Sequence, residues 1–93
     1  MYLAKLWFWE TGSQRWEGAY AIPGLIDLHF HGCVGADVCD GTPEALKKIA
    51  QYEASVGVTA IAPATMTLPV EELEQILQNA AAYKRAQDEH RAA

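Results

Sequence analysis

The sequence predicts an α/β fold, in which a β-hairpin over residues 1–22 precedes two strand–helix units over residues 23–93. Three observations support this order. Aromatic and apolar residues crowd the first nine positions, two later apolar runs have the length of buried strands, and each run is followed by a segment with helical spacing. Strands that alternate with helices usually pair in parallel, so we expect a small parallel sheet.

The predicted hairpin rests on residues 2–9 and 15–22, which are rich in strand-forming side chains and flank a segment with turn chemistry, Glu10 to Ser13. Its rings suggest two interpretations. They favour an aromatic cluster that packs the hairpin or a subunit contact, and the alternative is a platform on which a sugar stacks. The rings belong to Trp7, Trp9, Trp16 and Tyr20.

The first of the two later strands follows Pro23-Gly24, a strong turn signal, and the apolar run from Leu25 to Phe30 predicts that this strand is covered. Strand side chains alternate, so we expect His29 and His31 on one side, about 7 Å apart, where both can reach one divalent ion. A pair of strand histidines without a ligand is the alternative. We expect Gly32 to let the chain turn away without adding bulk.

The segment after the histidines predicts a loop over residues 34–41, in which Asp37 and Asp40 have two interpretations. Each can orient a metal-ligating histidine by accepting a hydrogen bond from the ring nitrogen that does not bind the metal. The simpler interpretation, which we favour, is that they are turn carboxylates.

Two helices are predicted next. Thr42-Pro43-Glu44 is typical of a helix start, and Gly57 of a helix end. Residues 58–64 predict the second strand, residues 65–67 a loop at its end, and Pro69 the start of the second helix. We expect residues 86–93 to fray, with His90 in solvent. The predicted stripes, each on one helix face, comprise Ala45, Leu46, Ile49, Ala50, Tyr52 and Val56 in the first helix, and Val70, Leu73, Ile76, Leu77, Ala80, Ala81 and Lys84 in the second.

Charge and cysteine content narrow the function. A net charge of −5 and a pI near 5.0 argue against nucleic acid as a partner. Because the sequence shows neither a long apolar span nor the order of a signal peptide, we expect a cytoplasmic protein without membrane contact. Cys33 and Cys39 are expected to be reduced, packing thiols. The alternative joins them with His29 and His31 in a closed zinc site.

Three stretches in order carry a family resemblance that extends from about Ile22 to Thr67: PGLIDLHFHG, HGCVGADVCDGTPEAL and GVTAIAPATMT. The first resembles the amidohydrolase superfamily, and all three together resemble its N-acetylglucosamine-6-phosphate deacetylases. The resemblance implies a TIM barrel, removal of acetate from an amino-sugar phosphate, and a divalent metal at His29 and His31, with zinc favoured over iron or another ion. The family's remaining ligands and its catalytic aspartate match no residue of this sequence, so we place no catalytic residue in it.

A complete barrel takes about 250 residues and eight strand–helix units, whereas this sequence predicts two. We therefore expect an incomplete barrel from the N-terminal part of such a deacetylase, inactive by itself. Open strand edges and an apolar sheet face predict a homo-oligomer. Two alternatives stay open: another amidohydrolase, dihydroorotase-like or deaminase-like, and a self-associating metal-binding module without catalysis.

Overall fold

The structure, a computed structural model, describes Tyr20 and residues 22–92. Apart from Tyr20 and Ile22, the predicted hairpin lies outside the described residues. A 3₁₀ turn lies between the short strands and the first helix, at Val38–Asp40. The elements in chain order are β1 (Leu25–Phe30), β2 (Gly32–Cys33), β3 (Ala36–Asp37), α1 (Pro43–Ser55), β4 (Val58–Pro63) and α2 (Val70–Ala92).

The predicted parallel sheet is present, because β1 pairs with β4 in parallel across the intervening α1. The ladder runs from Leu25 opposite Val58 to Phe30 opposite Pro63, with two register shifts on the way. One further bond, from the Ala64 amide to the Phe30 carbonyl at 2.8 Å, extends the pairing beyond the strands. The carboxyl ends of both strands therefore lie side by side, which confirms the α/β class and brings their following residues together.

Helix α1 begins as its sequence predicts. The Thr42 hydroxyl accepts a hydrogen bond from the Ala45 amide at 3.3 Å, and Pro43 occupies the first turn. The helix ends before Gly57, whose φ of +90° is a conformation that glycine adopts without strain. This capping fixes the direction of α1 over the sheet.

The core lies where α1, α2 and the 3₁₀ turn meet the carboxyl half of the sheet. Its buried cluster is Val38, Leu46, Ile49 and Ile76, with Phe30 and Ile61 of the strands packed against it. The predicted stripes were correct in part. Tyr52 of α1 and Val56, the residue that caps its C-terminus, are exposed, and Glu53 is buried instead. In α2, Val70 and Leu77 are exposed, and Ala80 and Tyr83 pack against the core.

Three other expectations were wrong. Strand β1 is not covered, because Leu25, Ile26 and Leu28 are 54%, 63% and 75% exposed. Residues 34–41 are not a plain loop, since they contain β3 and the 3₁₀ turn. The segment predicted to fray continues α2 as far as Ala92. Within the described part of the chain, no helix combines the length and the apolarity that crossing a membrane requires.

Candidate functional site

The structure brings His29 and His31 together at the carboxyl end of β1. Their ring centroids are 5.2 Å apart, and the ring planes are nearly perpendicular, at 89°. His29 is exposed, and His31 is half-buried. Because a zinc–nitrogen bond is about 2.0–2.1 Å long, two rings at this separation can offer nitrogens to one ion. The predicted pair is therefore placed as its strand spacing requires, although its role as a ligand pair stays a prediction.

A hydrogen bond fixes the orientation of the His31 ring. Its Nδ1 lies 2.9 Å from the carbonyl oxygen of Ala64, the residue that follows β4. Since a carbonyl oxygen only accepts, Nδ1 carries the proton in the neutral ring, and the lone pair is left on Nε2. This is the arrangement by which proteins usually orient a histidine that binds metal through its other nitrogen.

A depression of about 420 Å³ opens beside His31 and is lined by the short antiparallel hairpin of β2 and β3. Gly32 permits this hairpin to approach closely. A Cβ on Gly32 would collide with the Ala36 carbonyl oxygen and lie 2.7 Å from the Asp37 Cα. The glycine is thus required for backbone contact within the hairpin, which is a different reason from the sharp turn that the sequence suggested.

Asp37 and Asp40 make the contacts of turn residues. The Asp37 carboxylate accepts a hydrogen bond from the Cys39 amide at 2.7 Å, and the Asp40 carboxylate accepts one from the Asp37 amide at 2.9 Å. Together they form a reciprocal cap on the 3₁₀ turn. The structure therefore supports the simpler of their two interpretations.

The two thiols have separate partners. Cys39 Sγ accepts a hydrogen bond from the Met66 amide at 3.3 Å. Burial raises the pKa of the Cys33 thiol, and the negative charge of Glu53 raises that pKa further; the positive charge of Lys48 opposes this in part. Among the described residues no three His, Cys, Asp or Glu side chains are grouped to hold a metal ion, so the closed zinc site of histidines and cysteines is not formed.

Glu53 is the residue of this region that the sequence reasoning missed. It is 8% exposed on the face of α1 that carries Ile49, which is 0% exposed. The signal was available, because residues four apart lie on one face of a helix. Glu53 is absent from the predicted stripe because charged residues are seldom buried.

Comparison with curated proteins identifies relatives of this chain. It is 43% identical over 63 residues to an N-acetylglucosamine-6-phosphate deacetylase of Vibrio furnissii, and this match covers 68% of the chain. It is 39% identical over 59 residues, 63% of the chain, to an N-acetylgalactosamine-6-phosphate deacetylase of Escherichia coli O157:H7. A third relative, an N-acetylglucosamine-6-phosphate deacetylase of Bacillus subtilis (strain 168), is 33% identical over 67 residues, 72% of the chain.

These matches span only a small part of each relative, between 16% and 17% of its length. No family model matches the chain. No solved structure matches it. Three relatives with closely related names nevertheless agree with the motifs of the sequence, and the resemblance is confirmed: this chain is similar to a segment of the amino-sugar-6-phosphate deacetylases.

Proposed function

We propose that this chain forms part of the active site of a hydrolase that removes the acetyl group from an N-acetylated amino-sugar 6-phosphate. One observation carries the proposal: within a segment similar to deacetylases, the ring centroids of His29 and His31 lie 5.2 Å apart at the carboxyl end of a parallel strand. That end of the strands is where barrel enzymes carry their catalytic groups. The relatives are named for both the gluco and the galacto sugar, so the proposed substrate is the class and not one epimer.

The proposed cofactor is a divalent metal ion, with zinc as the first ion to test and iron as the alternative. His31 offers Nε2, because its Nδ1 is engaged with Ala64, and His29 lies beside it in solvent. When bound, such an ion polarises an amide carbonyl and lowers the pKa of a bound water. The two imidazoles hold and orient the ion in this proposal, and neither moves a proton.

We further propose that these 93 residues do not hydrolyse the amide alone and correspond to two strand–helix units of an incomplete barrel. A catalytic zinc site usually has three protein ligands and one open position. The described residues supply two imidazoles, and their remaining carboxylates near the depression are committed to the 3₁₀ turn. We place the activity in the cytoplasm, in amino-sugar metabolism.

Metal binding tests the proposed role of His29 and His31 as ligands. Zinc should bind the 93-residue chain weakly through His29 and His31 and shift the imidazole resonances of both residues. The double substitution H29A/H31A should abolish binding, whereas H90A, which removes an exposed histidine from α2, should leave it unchanged. Titration followed by calorimetry and NMR measures this, and equal binding by the double variant would remove the histidines from the proposal.

Acetate release tests the proposed hydrolysis of the acetylated sugar phosphate. With zinc present, the 93-residue chain should release no acetate from either sugar phosphate above the rate with zinc alone. A chimaera in which residues 23–69 replace the aligned segment of the Vibrio furnissii relative should hydrolyse the substrate. H29A/H31A in that chimaera should lower the rate by more than about 100-fold, since even partners of ligands cost 10–100-fold. An active double variant would overturn the proposed role of the pair.

A second candidate function has an observation of its own. The exposed Leu25, Ile26 and Leu28 form an apolar strand surface, which favours self-association into a metal-binding module without catalysis. In this case the chain should be an oligomer by light scattering, and Leu28→Lys should lower its mass to that of a monomer. A monomer at all concentrations would dismiss this candidate. The comparisons name deacetylases throughout, so another amidohydrolase activity has no such support.

A further inference from the structure

Three hydrogen bonds form a closed ring around His31, and the ring passes through the Cys39 thiol. The His31 carbonyl accepts from the Val38 amide at 2.9 Å, and His31 Nδ1 donates to the Ala64 carbonyl at 2.9 Å. The Met66 amide donates to Cys39 Sγ at 3.3 Å. Val38 is adjacent to Cys39 in the chain, and Ala64 is two residues from Met66. The backbone therefore joins the three bonds into one ring.

The thiol side of this ring is firmly held. Cys39 lies in the 3₁₀ turn, its own amide donates to the Asp37 carboxylate at 2.7 Å, and the preceding Val38 is 3% exposed. Cys39 itself packs against the core cluster. Sγ is thus a fixed acceptor that faces the loop after β4.

The loop side needs this acceptor. The Ala64 amide is bound to the Phe30 carbonyl at 2.8 Å, but that bond leaves the peptide plane that carries the Ala64 oxygen free to rotate. Anchoring the Met66 amide to Cys39 restrains the far end of the same stretch. The Ala64 oxygen then keeps the direction in which it accepts from His31 Nδ1, which keeps the lone pair on Nε2.

We infer that Cys39 is a positioning residue for His31: its thiol, through Met66 and Ala64, fixes the tautomer and orientation of the imidazole. The bland alternative is that Cys39 only fills space in the core. The two differ in what serine does at this position. A serine hydroxyl accepts a hydrogen bond as the thiol does, whereas alanine does not, and both lose the volume of the sulfur.

The decisive test is NMR of the 93-residue chain at about pH 8.5, above the range in which unperturbed histidine titrates. Nitrogen shifts of His31 report which ring nitrogen is protonated, and hydrogen exchange reports the Met66 amide. Cys39→Ala should convert His31 to a mixture of tautomers and speed exchange at Met66, and Cys39→Ser should restore both. Cys33→Ala, the matched loss of the other half-buried thiol, should change neither.

The inference is overturned if C39A leaves the His31 tautomer as it was, or if C39S and C39A behave alike. A spectrum of dispersed amides from each variant shows that it is folded, and a variant that unfolds is replaced by Cys39→Thr against Cys39→Val, the matched pair with and without a hydroxyl. These readouts need no metal, so they decide the inference separately from the proposed function.

The consequence for metal binding rests on the proposed function. Loss of a direct partner of a ligating histidine typically costs 10–100-fold in metal affinity, and Cys39 acts one step further away through a weak acceptor. We expect C39A to weaken zinc binding by about three- to tenfold and C39S to recover it. If the unsubstituted chain binds no zinc while the tautomer responds to C39A, the proposed function fails and the positioning role stands. Unchanged zinc affinity in C39A would confine that role to the free protein.

Discussion

The two ends of strand β1 differ in their support. At the carboxyl end, Phe30 packs against the buried cluster and the following His31 is held between β3 and β4. At the amino end, Leu25 and Ile26 are 54% and 63% exposed, and Leu28 in the middle of the strand is 75% exposed, although their apolarity matches that of Phe30. Of β1, only Phe30 packs against the core that the helices and the 3₁₀ turn form; His29 before it is exposed, and His31 after it is half-buried. The packed end of this small fold is thus also the end with the candidate site.

The largest expected effect tests this asymmetry directly. Ile49 is 0% exposed and Leu28 is 75% exposed, so similar side chains occupy opposite environments. Ile49→Ala should lower the free energy of unfolding by about 2–5 kcal/mol, through lost burial and the cavity that remains. Leu28→Ala should change it by less than about 0.5 kcal/mol.

Urea unfolding followed by circular dichroism measures both variants. Should I49A be unfolded from the start, Ile49→Val, with an expected loss of about 0.5–1.5 kcal/mol, takes its place. Equal losses at positions 49 and 28 would show that the middle of β1 is covered in solution, by a second copy or by other residues of the chain.

The local pattern predicted most of the elements, because caps and turn residues act over a few positions. Thr42, Pro43 and Gly57 bounded α1 correctly, and the apolar run after Gly24 bounded β1. The burial of individual side chains within these elements was not predictable in the same way. An apolar run indicates that a face can be buried, but which part of it is buried depends on where the helices cross the sheet. That is why Leu28 was expected inside and Glu53 outside.

For the candidate site, alternation along one strand was enough to pair His29 with His31. The partner of His31 was not predictable, because Ala64 is 33 residues away and contributes only a backbone carbonyl. No side-chain pattern marks such an acceptor. The same holds for Cys39 and Met66, whose bond joins a thiol to an amide 27 residues later. Contacts to backbone depend on topology, and one sequence shows topology only through the order of its elements.

An intermediate effect is expected from the two glycines that flank β1. A Cβ at Gly32 meets the backbone of Ala36 and Asp37, which cannot rotate away, whereas a Cβ at Gly24 meets the exposed side chain of Thr59. Gly32→Ala should therefore destabilise the chain by about 1–3 kcal/mol, as overpacking does, and displace the hairpin beside His31. A Cβ at Gly24 would lie 2.6 Å from the Thr59 Cβ, which no rotamer change moves, so Gly24→Ala requires a backbone shift. Because this end of β1 is exposed, that shift should cost less than at Gly32, about 1 kcal/mol.

The same urea experiment gives the two free energies, and NMR shifts of the His31 ring report the hairpin. In a Thr59→Gly background, which removes the Thr59 Cβ, the loss caused by Gly24→Ala should disappear, and this identifies the Thr59 side chain as its cause. A cost at Gly24 equal to that at Gly32 would contradict the distinction between the packed carboxyl end and the exposed amino end of β1.

The smallest expected effect concerns Cys33, a thiol at the packed end whose pKa is raised by burial and by the neighbouring Glu53 carboxylate. A folded-state pKa above the unfolded value favours the protonated folded chain. This contribution to stability is fully present below the unfolded pKa of the thiol, about 8.5, and is lost as the pH rises through the folded value. Cys33→Ser should remove this decrease in the free energy of unfolding at alkaline pH.

Glu53→Gln separates charge from burial, because glutamine keeps the shape and an acceptor oxygen but removes the negative charge. The pKa of Cys33 should fall in E53Q, and alkylation of Cys33 by iodoacetamide at about pH 8.5 should become severalfold faster, since the thiolate is the nucleophile. Peptide mapping separates the reaction of Cys33 from that of Cys39, and Glu74→Gln, on the exposed face of α2, is the matched control. If the two glutamine variants react at the same rate, burial alone protects the thiol. The packed end of the sheet then raises the pKa of Cys33 by excluding solvent, and the buried Glu53 carboxylate does not contribute.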